Sequence, residues 1–388
     1  MRFCALATFW RFATLHVAPL IKPPLAVLLP QYCKVLDRSD LVGVLRCGDS
    51  SDCREHIGCL SLIPTKLRIA NNYSSVLFSF ENIRDRETMT GPAKITSKTG
   101  VEEFLSKYDD FLFDCDGVLW QGDVLLPHVK ETLNLLRERG KRLIFVTNNS
   151  TKSRKAYTKK FAKLGIEVTP EEIFGSAYSA AVYLKKVVKF PADKKVLVLG
   201  ESGIEEELAS EGIQFVGGTD PALRRDIKPE DYDEIVPDPS IGCVLSGLDL
   251  HINYLKLSMA LANLQVPETL FLATNIDSTY PTHGKLFPGA GTICAPLVLA
   301  SKRQPISLGK PSKAMMDCVK AKFEFVPART CMVGDRLDTD IRFGQDGGLG
   351  TLFVLTGVNT ESDILAENAE TVPKHYMTKL GDIFELLN

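Results

Sequence analysis

The stretch Phe111-Leu112-Phe113-Asp114-Cys115-Asp116-Gly117-Val118 decides the fold of this chain. Its apolar start predicts a buried strand that ends in two carboxylates. Alternation along a strand would point Asp114 and Asp116 in the same direction, where they repel each other unless a cation or a proton lies between them. The pattern predicts a hard divalent metal at a sheet edge, with one carboxylate available as a nucleophile and the other as an acid. Because a single Asp-x-Asp is more often a solvated turn, this interpretation depends on motifs further along the chain.

The second motif, Thr147-Asn148-Asn149-Ser150, directly follows an apolar run at residues 143–146. Its hydroxyl groups, side-chain amides and free backbone N–H groups are uncharged donors, which suit phosphate oxygens. An Asn-rich helix cap would have the same composition, and the two roles can coexist. The segment is therefore predicted to bind phosphate, with a capping role left open.

Two segments nearer the C-terminus carry charged groups. Lys310 can act as a point charge against anionic oxygens, although an ordinary surface lysine would look the same. Asp335 follows the apolar run at residues 330–333, where it can complete a metal shell with Asp114. Asp340 begins the predicted helix that follows, and its carboxylate can cap N–H groups, hold the lysine or hold a metal-bound water.

The composition limits the possible partners of the chain. Its 388 residues suffice for two domains with substantial cores, and its net charge of −2 provides no basic surface for nucleic acid. None of the ten cysteines forms a Cys-x-x-Cys pair, and no histidine pair accompanies them as a zinc site would require. We therefore expect no nucleic-acid partner, no disulfide framework and a reducing compartment.

Residues 1–88 differ from the rest of the chain, because they have little periodicity and contain none of the motifs. Their basic, acid-free start is compatible with a mitochondrial presequence at residues 1–40. An upstream extension of the reading frame is the preferred interpretation, and it predicts a cytoplasmic protein. In either case this head is predicted to be disordered. Its apolar segment at residues 25–29 is too short to cross a bilayer, so no membrane partner is expected.

From about residue 100, apolar strand-like runs alternate with amphipathic helices. The runs lie at residues 111–113, 142–146, 195–199, 242–245, 270–273, 330–333 and 351–355. This alternation predicts an α/β fold, in which a doubly wound, Rossmann-like parallel sheet is covered by helices on both faces. Ligands of such sheets bind beyond the carboxyl ends of the strands, where the four motifs are expected to lie.

The four motifs, in this order, resemble those of the haloacid dehalogenase superfamily of aspartyl-phosphate-forming phosphatases. The segments at residues 110–120, 145–154 and 331–341 are most similar to the branch that contains the 4-nitrophenylphosphatases and phosphoglycolate phosphatases. The resemblance implies a core made of residues 100–190 and 304–388. It also implies a large inserted α/β cap domain at residues 191–303.

The resemblance further implies a Mg²⁺-dependent phosphatase of small phosphomonoesters, such as 4-nitrophenyl phosphate and metabolites like 2-phosphoglycolate. Asp114 would form the aspartyl-phosphate, and Asp116 would act first as an acid and then as a base. Asp114, the backbone carbonyl of Asp116, and Asp335 would hold Mg²⁺, with Asp340 behind them. The implied substrate-binding residues are Thr147, Asn148, Asn149 and Lys310.

Specificity is expected to come from the cap. Tyr280 lies where cap-bearing relatives can carry a histidine that reaches the substrate, although packing within the cap would explain the tyrosine equally well. A tyrosine at this position argues against pyridoxal phosphate as the substrate. Two alternatives stay open: a phosphoprotein phosphatase or phosphotransferase on the same core, and a non-catalytic regulatory protein. A homodimer formed through the cap also stays open.

Overall fold

The computed structural model describes residues 33–36, 42–47, 76–79, 91–282, 285–366 and 368–388. The chain separates into two compact units, Met1–Met89 and Thr90–Asn388. In the first unit, strands β1 (Cys33–Leu36), β2 (Val42–Cys47) and β3 (Val76–Ser79) form an antiparallel sheet in that order. Most of the head, including most of the proposed presequence, lies outside the described residues, and the expectation of disorder there stays a prediction.

The second unit alternates strands and helices. Its strands are β4 (Ala93–Lys94), β5 (Asp110–Phe113), β6 (Trp120–Gln121), β7 (Val124–Leu125), β8 (Arg142–Thr147), β9 (Ile173–Gly175), β10 (Lys195–Leu199), β11 (Gln214–Gly217), β12 (Ile241–Ser246), β13 (Leu270–Ala273), β14 (Thr279–Thr282), β15 (Lys285–Pro288), β16 (Ile306–Ser307), β17 (Thr330–Gly334), β18 (Gly350–Val354) and β19 (His375–Met377). Its α-helices are α1 (Lys98–Lys107), α2 (Val129–Glu138), α3 (Arg154–Lys163), α4 (Ser176–Val182), α5 (Ser202–Ser210), α6 (Asp231–Glu234), α7 (Tyr254–Leu264), α8 (Ala290–Ser301), α9 (Lys313–Phe323), α10 (Arg342–Asp346), α11 (Glu361–Leu365) and α12 (Asp382–Leu387). Short 3-10 or π-helical segments lie at Pro170–Glu172, Tyr183–Val187, Pro221–Leu223, Pro327–Arg329 and Leu337–Ile341.

The larger sheet of the second unit forms the core domain. Its described strands pair in the order β4-β19-β18-β17-β5-β8-β9, and every neighbouring pair is parallel. Every residue of β5 is buried, as expected for a central strand covered on both faces. Phe111 and Phe113 pack on one face of the sheet, while Leu112 packs on the other. The doubly wound parallel sheet predicted from the sequence is confirmed.

A second sheet forms the inserted cap. Its described strands pair in the order β11-β10-β12-β13-β16, again all in parallel. A hairpin made of β14 and β15 stands apart from this sheet. The predicted α/β cap is therefore present. Strand β16 belongs to the cap sheet, so that sheet continues a few residues past position 303, where the sequence placed the end of the cap.

The described cysteines of the second unit agree with a reduced protein. All of them are buried and free, namely Cys115, Cys243, Cys294, Cys318 and Cys331. Burial raises the pKa of the Cys115 thiol well above its usual range, which keeps this neighbour of the first motif protonated. Among the helices that the structure describes, none is long and apolar enough to cross a membrane.

Candidate active site

The order of the core strands brings three motifs to one edge of the sheet. Strand β5 lies between β17 and β8 and runs parallel to both. Asp114 directly follows β5, Thr147 is the last residue of β8, and Asp335 directly follows β17. Because the carboxyl ends of parallel strands meet at the same edge, side chains that lie far apart in the sequence share one site.

Three carboxylates and one ammonium group form the centre of this site. Asp114, Asp335 and Asp340 each place a carboxylate oxygen within 4.8 Å of the others. The Nζ atom of Lys310 lies 2.6 Å from Oδ1 of Asp114 and 2.8 Å from Oδ1 of Asp340. It also donates a hydrogen bond of 2.8 Å to the carbonyl oxygen of Val146. The lysine side chain is only 2% exposed, so its charge acts on these groups with little screening by water.

The pKa values of the buried acids and of Lys310 show that negative charge exceeds positive charge in this cluster. Burial, reinforced by the neighbouring carboxylates, raises the pKa of Asp114 well above its usual range, although Lys310 opposes the shift. Burial and the charge of Asp340 raise the pKa of Asp335 to about 7. Burial alone would lower the pKa of Lys310, but Asp114 and Asp340 raise it above its usual value. One ammonium group therefore does not balance the three acids.

The surroundings of Asp335 fit a metal ion. Its Oδ2 atom accepts a hydrogen bond of 2.9 Å from the backbone N–H of Val358, whereas its buried Oδ1 atom has no hydrogen-bond partner among the described residues. Gly117 and Gly357 press against this carboxylate, and a β-carbon at position 117 would lie 2.7 Å from Oδ2. A hard divalent cation would satisfy the unpaired oxygen and supply the missing charge, and the all-oxygen donor set suits Mg²⁺ or Ca²⁺ better than zinc.

Asp340 binds the backbone of the loop after β17 in addition to Lys310. Its Oδ2 atom accepts hydrogen bonds of 3.2 Å from the backbone N–H groups of Asp335 and Arg336. Asp340 lies in the π-helical segment Leu337–Ile341 rather than at the start of a regular helix. One side chain thus fixes the position of Asp335 and adds a third carboxylate to the cluster.

Asp116 lies apart from this cluster, because β5 ends at Phe113 and the alternation of a strand does not extend to the turn that follows. Its Oδ1 atom accepts a hydrogen bond of 2.8 Å from Nε1 of Trp120 and lies 3.7 Å from Nζ of Lys160. Lys160 also lies over the Trp120 ring, 4.2 Å from its centroid. The Asp116 side chain is 47% exposed, so it faces solvent at the mouth of the site.

The residues of the second motif occupy different positions. The hydroxyl of Thr147 lies 3.4 Å from the Tyr157 hydroxyl and accepts a hydrogen bond from the backbone N–H of Asn149. The Asn149 side chain accepts hydrogen bonds from the backbone N–H and the hydroxyl of Thr151, which forms a local turn, whereas the N-cap of helix α3 is Ser153. Asn148 contacts Lys310 through its side-chain amide. The segment therefore lies beside the lysine and does not cap the helix that follows it, and its predicted role in phosphate binding stays a prediction.

Tyr280 lies in strand β14 of the cap hairpin, and its ring packs against Phe287 with a centroid separation of 6.2 Å. Among the described residues, no hydrogen bond or ion pair joins Tyr280 to the acidic cluster. These contacts agree with packing inside the hairpin, and a role for Tyr280 in specificity stays a prediction.

Two contributors to the site were not predicted from the sequence. Asp277 lies between β13 and β14, and its carboxylate contacts the side chain of Asn148. The spacing Asn275-Ile276-Asp277 after an apolar strand repeats the pattern of the first motif and was the available signal. Trp120, which positions Asp116, gave no signal beyond its place at the end of the segment at residues 110–120.

The cap contacts the core directly beside the second motif. Arg154 of the core donates hydrogen bonds to the buried Glu207 carboxylate of the cap through its backbone N–H and its Nε atom. A β-carbon at Gly203 would lie 2.5 Å from the backbone N of Lys152 and 2.6 Å from the carbonyl oxygen of Ser150. Glycine therefore lets cap helix α5 approach the backbone that follows Asn149.

Comparison with known proteins places these features in a family. Residues 111–214 match the model for haloacid dehalogenase-like hydrolases, and residues 307–383 match a second HAD-hydrolase-like model. The chain is 52% identical over 293 residues to a 4-nitrophenylphosphatase of Schizosaccharomyces pombe, which covers 75% of this chain and 98% of that protein. It is 43% identical over 314 residues to the chloroplastic phosphoglycolate phosphatase 1A of Arabidopsis thaliana, which covers 80% of this chain and 84% of that protein.

A solved structure gives the same assignment. The glycerol phosphate phosphatase of Mycobacterium tuberculosis in complex with magnesium superposes with a TM-score of 0.60 and 29% identity, covering 74% of this chain and 78% of that one. The chain therefore belongs to the haloacid dehalogenase-like hydrolase family, which confirms the resemblance inferred from its four motifs. It is an enzyme of the phosphoric monoester hydrolase class.

Proposed function

We propose that this enzyme is a Mg²⁺-dependent phosphatase of small phosphomonoesters that works through an aspartyl-phosphate on Asp114. One observation carries the proposal above the others. The Asp114 carboxylate lies at the open edge of the core sheet, 2.6 Å from the buried ammonium of Lys310 and beside two further carboxylates. This arrangement gives a nucleophile, a fixed positive charge and metal-binding oxygens within one small volume.

The carboxylates of Asp114 and Asp335 and the backbone carbonyl of Asp116 would hold the metal. When bound, Mg²⁺ would offset the repulsion between the attacking carboxylate and the phosphate dianion. Asp340 would support this set indirectly, because it fixes the backbone of Asp335 and faces Lys310. The mycobacterial glycerol phosphate phosphatase was solved in complex with magnesium, which supports the choice of ion.

The first chemical step belongs to Asp114. One of its oxygens attacks phosphorus as the bond between phosphorus and the leaving oxygen breaks, and the product is an acyl phosphate on the side chain. Lys310 and the hydroxyl of Thr147 would hold the phosphoryl oxygens while negative charge redistributes among them. Water then attacks the phosphorus of the aspartyl-phosphate, which releases inorganic phosphate and restores the Asp114 carboxylate.

Asp116 would transfer the protons of both steps. It gives a proton to the departing oxygen and later takes one from the attacking water. Trp120 binds its Oδ1 atom, and Oδ2 would be the oxygen that transfers the protons. Because the side chain is half-exposed, closure of the cap over a bound substrate would remove water from around Asp116.

The inserted cap favours small substrates, since it places a second α/β layer beside the site and leaves little room for a folded protein. Relatives are named for 4-nitrophenyl phosphate, phosphoglycolate and glycerol phosphate, and these three esters form the first substrate panel. A phosphoprotein phosphatase would require access past the cap. A non-catalytic protein would have no need for Asp114, Asp116, Lys310 and Asp335 together.

The test is hydrolysis of that panel by the wild type and by Asp114→Asn, with Mg²⁺ and after exhaustive chelation. We expect Asp114→Asn to lower kcat on the order of 10⁴-fold or more, because the covalent nucleophile is lost. Asp123→Asn is the matched control, since Asp123 is an exposed carboxylate away from the cluster. Activity of Asp114→Asn within about tenfold of the wild type would exclude Asp114 as the nucleophile. Full activity of the chelated wild type would exclude the metal.

A further inference from the structure

The side-chain amide of Asn148 pairs with both backbone polar groups of the catalytic lysine. Its Oδ1 atom accepts a hydrogen bond of 2.7 Å from the backbone N–H of Lys310. Its Nδ2 atom donates a hydrogen bond of 3.0 Å to the carbonyl oxygen of the same residue. A backbone N–H can only donate and a carbonyl can only accept, so this pairing fixes the orientation of the amide.

A carboxylate from the cap side completes the arrangement. The Nδ2 atom of Asn148 donates its second hydrogen bond to Oδ2 of Asp277, at 3.1 Å. Both donors of the Asn148 amide are then in use. The side-chain hydrogen bonds of Asn148 therefore go to Lys310 and Asp277.

Asp277 is itself held firmly between strands β13 and β14. Its backbone N–H donates to Oδ1 of Asn275, and its carbonyl oxygen accepts from the backbone N–H of Gly291. The side chain of Asn275 also donates a hydrogen bond of 2.8 Å to the carbonyl oxygen of Asn148. Two residues of the segment between β13 and β14, Asn275 and Asp277, thus form hydrogen bonds with Asn148 of the second motif.

We propose that Asp277 is a positioning residue for Lys310 that acts through Asn148 and couples the cap segment to the lysine. The inference rests on the proposed function, in which Lys310 holds the transferring phosphoryl group. The lysine side chain is enclosed, so the placement of its backbone decides where Nζ lies. Displacement of a catalytic group by a fraction of an ångström lowers the rate of a positioned reaction.

The first experiment compares Asp277→Ala and Asp277→Asn. Asp277→Ala removes the acceptor for Asn148, and we expect kcat to fall about tenfold, as for a lost charge-assisted hydrogen bond. The factor should be the same for 4-nitrophenyl phosphate, 2-phosphoglycolate and glycerol 3-phosphate, because Lys310 contacts the phosphoryl group that all three share. Asp277→Asn keeps an acceptor oxygen and should restore most of the lost kcat. Factors that differ among the three esters would overturn the inference, because they would indicate direct contact with the leaving group.

Asp220→Ala serves as the control. Asp220 accepts a hydrogen bond of 2.9 Å from the backbone N–H of Ala222 on the cap surface, so this variant also removes a carboxylate that binds an N–H group. Its kcat should equal that of the wild type. Loss of kcat in Asp220→Ala as large as in Asp277→Ala would mean that general loosening of the cap explains both, and the inference would be wrong.

A double-mutant cycle tests whether the effect passes through Asn148. In the Asn148→Ala background, Asp277→Ala should cause no further loss of kcat, because the link is already broken. A second tenfold loss would show that Asp277 acts by another route. Asn148→Asp should be strongly impaired, since it places a carboxylate against the Lys310 carbonyl and Asp277. Adding Asp277→Asn to it should recover part of the activity, and a failure to recover any would contradict the proposed contact.

These outcomes are separate from the test of the proposed function. If Lys310→Met retained wild-type kcat, the role of the lysine would fail, and with it the proposed chemistry. If Lys310→Met is inactive but Asp277→Ala behaves like the wild type, only the positioning role fails.

Discussion

Removal of the metal should make this enzyme lose stability as the pH rises. In the metal-free protein, burial and the charge of Asp340 raise the pKa of Asp335 to about 7, compared with 3.8 for an unperturbed carboxyl. Between these two values the folded state binds more protons than the unfolded state. The contribution of Asp335 to the stability of the metal-free protein is therefore greatest below pH 4 and is lost as the pH rises from about 4 to 7.

The size of this effect follows from the shift of Asp335. A difference of one bound proton between the folded and unfolded states changes the free energy of unfolding by about 1.4 kcal/mol for each pH unit. Raising the pKa of Asp335 from 3.8 to about 7 therefore changes that free energy by about 4 kcal/mol in total. Between pH 5 and pH 7 the expected loss is about 2–3 kcal/mol. For a chain of this size that loss lowers Tm by roughly 3–5 °C. Mg²⁺ should reverse the trend, since it binds the deprotonated carboxylates and stabilises the folded state more at higher pH.

The assay is thermal unfolding of the full chain at several pH values from 5 to 8, in EDTA and in Mg²⁺. Asp335→Asn is the matched variant, because it keeps the shape of the side chain but cannot titrate. Without metal, the free energy of unfolding of this variant should depend less steeply on pH than that of the wild type. The difference in slope should correspond to at most one bound proton. The reasoning would be refuted if the chelated wild type were equally stable at pH 5 and pH 7, or if Asp335→Asn kept the full wild-type slope.

Three further changes have defined expectations. Asp116→Asn should slow alkyl phosphates about 10²-fold or more but slow 4-nitrophenyl phosphate much less, because only poor leaving groups need the acid; equal losses measured on both esters would count against that role. Gly357→Ala places a β-carbon against Oδ2 of Asp335 and should raise the Mg²⁺ concentration for half-maximal activity about tenfold, whereas Gly91→Ala, which meets open space, should not change it. A protein that begins at Met89 should fold and hydrolyse phosphomonoesters like the full chain; an insoluble or inactive product would show that the domain boundary is wrong.

Sequence patterns were sufficient for the residues that directly follow core strands. Asp114, Thr147 and Asp335 each follow or end an apolar run, and a parallel sheet must gather the carboxyl ends of its strands at one edge. The predicted runs at residues 195–199 and 270–273 also coincide with observed strands. Local periodicity carries this information because it depends only on neighbouring residues.

Periodicity could not determine which strands pair, or how a side chain turns once its strand has ended. Asp116 shows the second limit, since it lies two residues beyond Asp114 yet binds Trp120 instead of joining the carboxylate cluster. The pairing of β16 with the cap sheet could not be predicted either, because strand pairing is a contact between distant segments.

The sequence by itself therefore determined the α/β class, since the alternation of apolar strands and amphipathic helices is a short-range pattern. Its four motifs carried the family resemblance that implied the inserted cap and the phosphatase class. Only the tertiary structure decided among the roles left open for Asp340, which binds both backbone N–H groups and Lys310. The pairing of Asn148 with the backbone of Lys310 likewise appears only in the tertiary structure. It also decided that Asp277 reaches Asn148 across 129 positions of the chain. Such contacts join segments that are distant in the sequence, and their relative placement is set by long-range packing that no local pattern records.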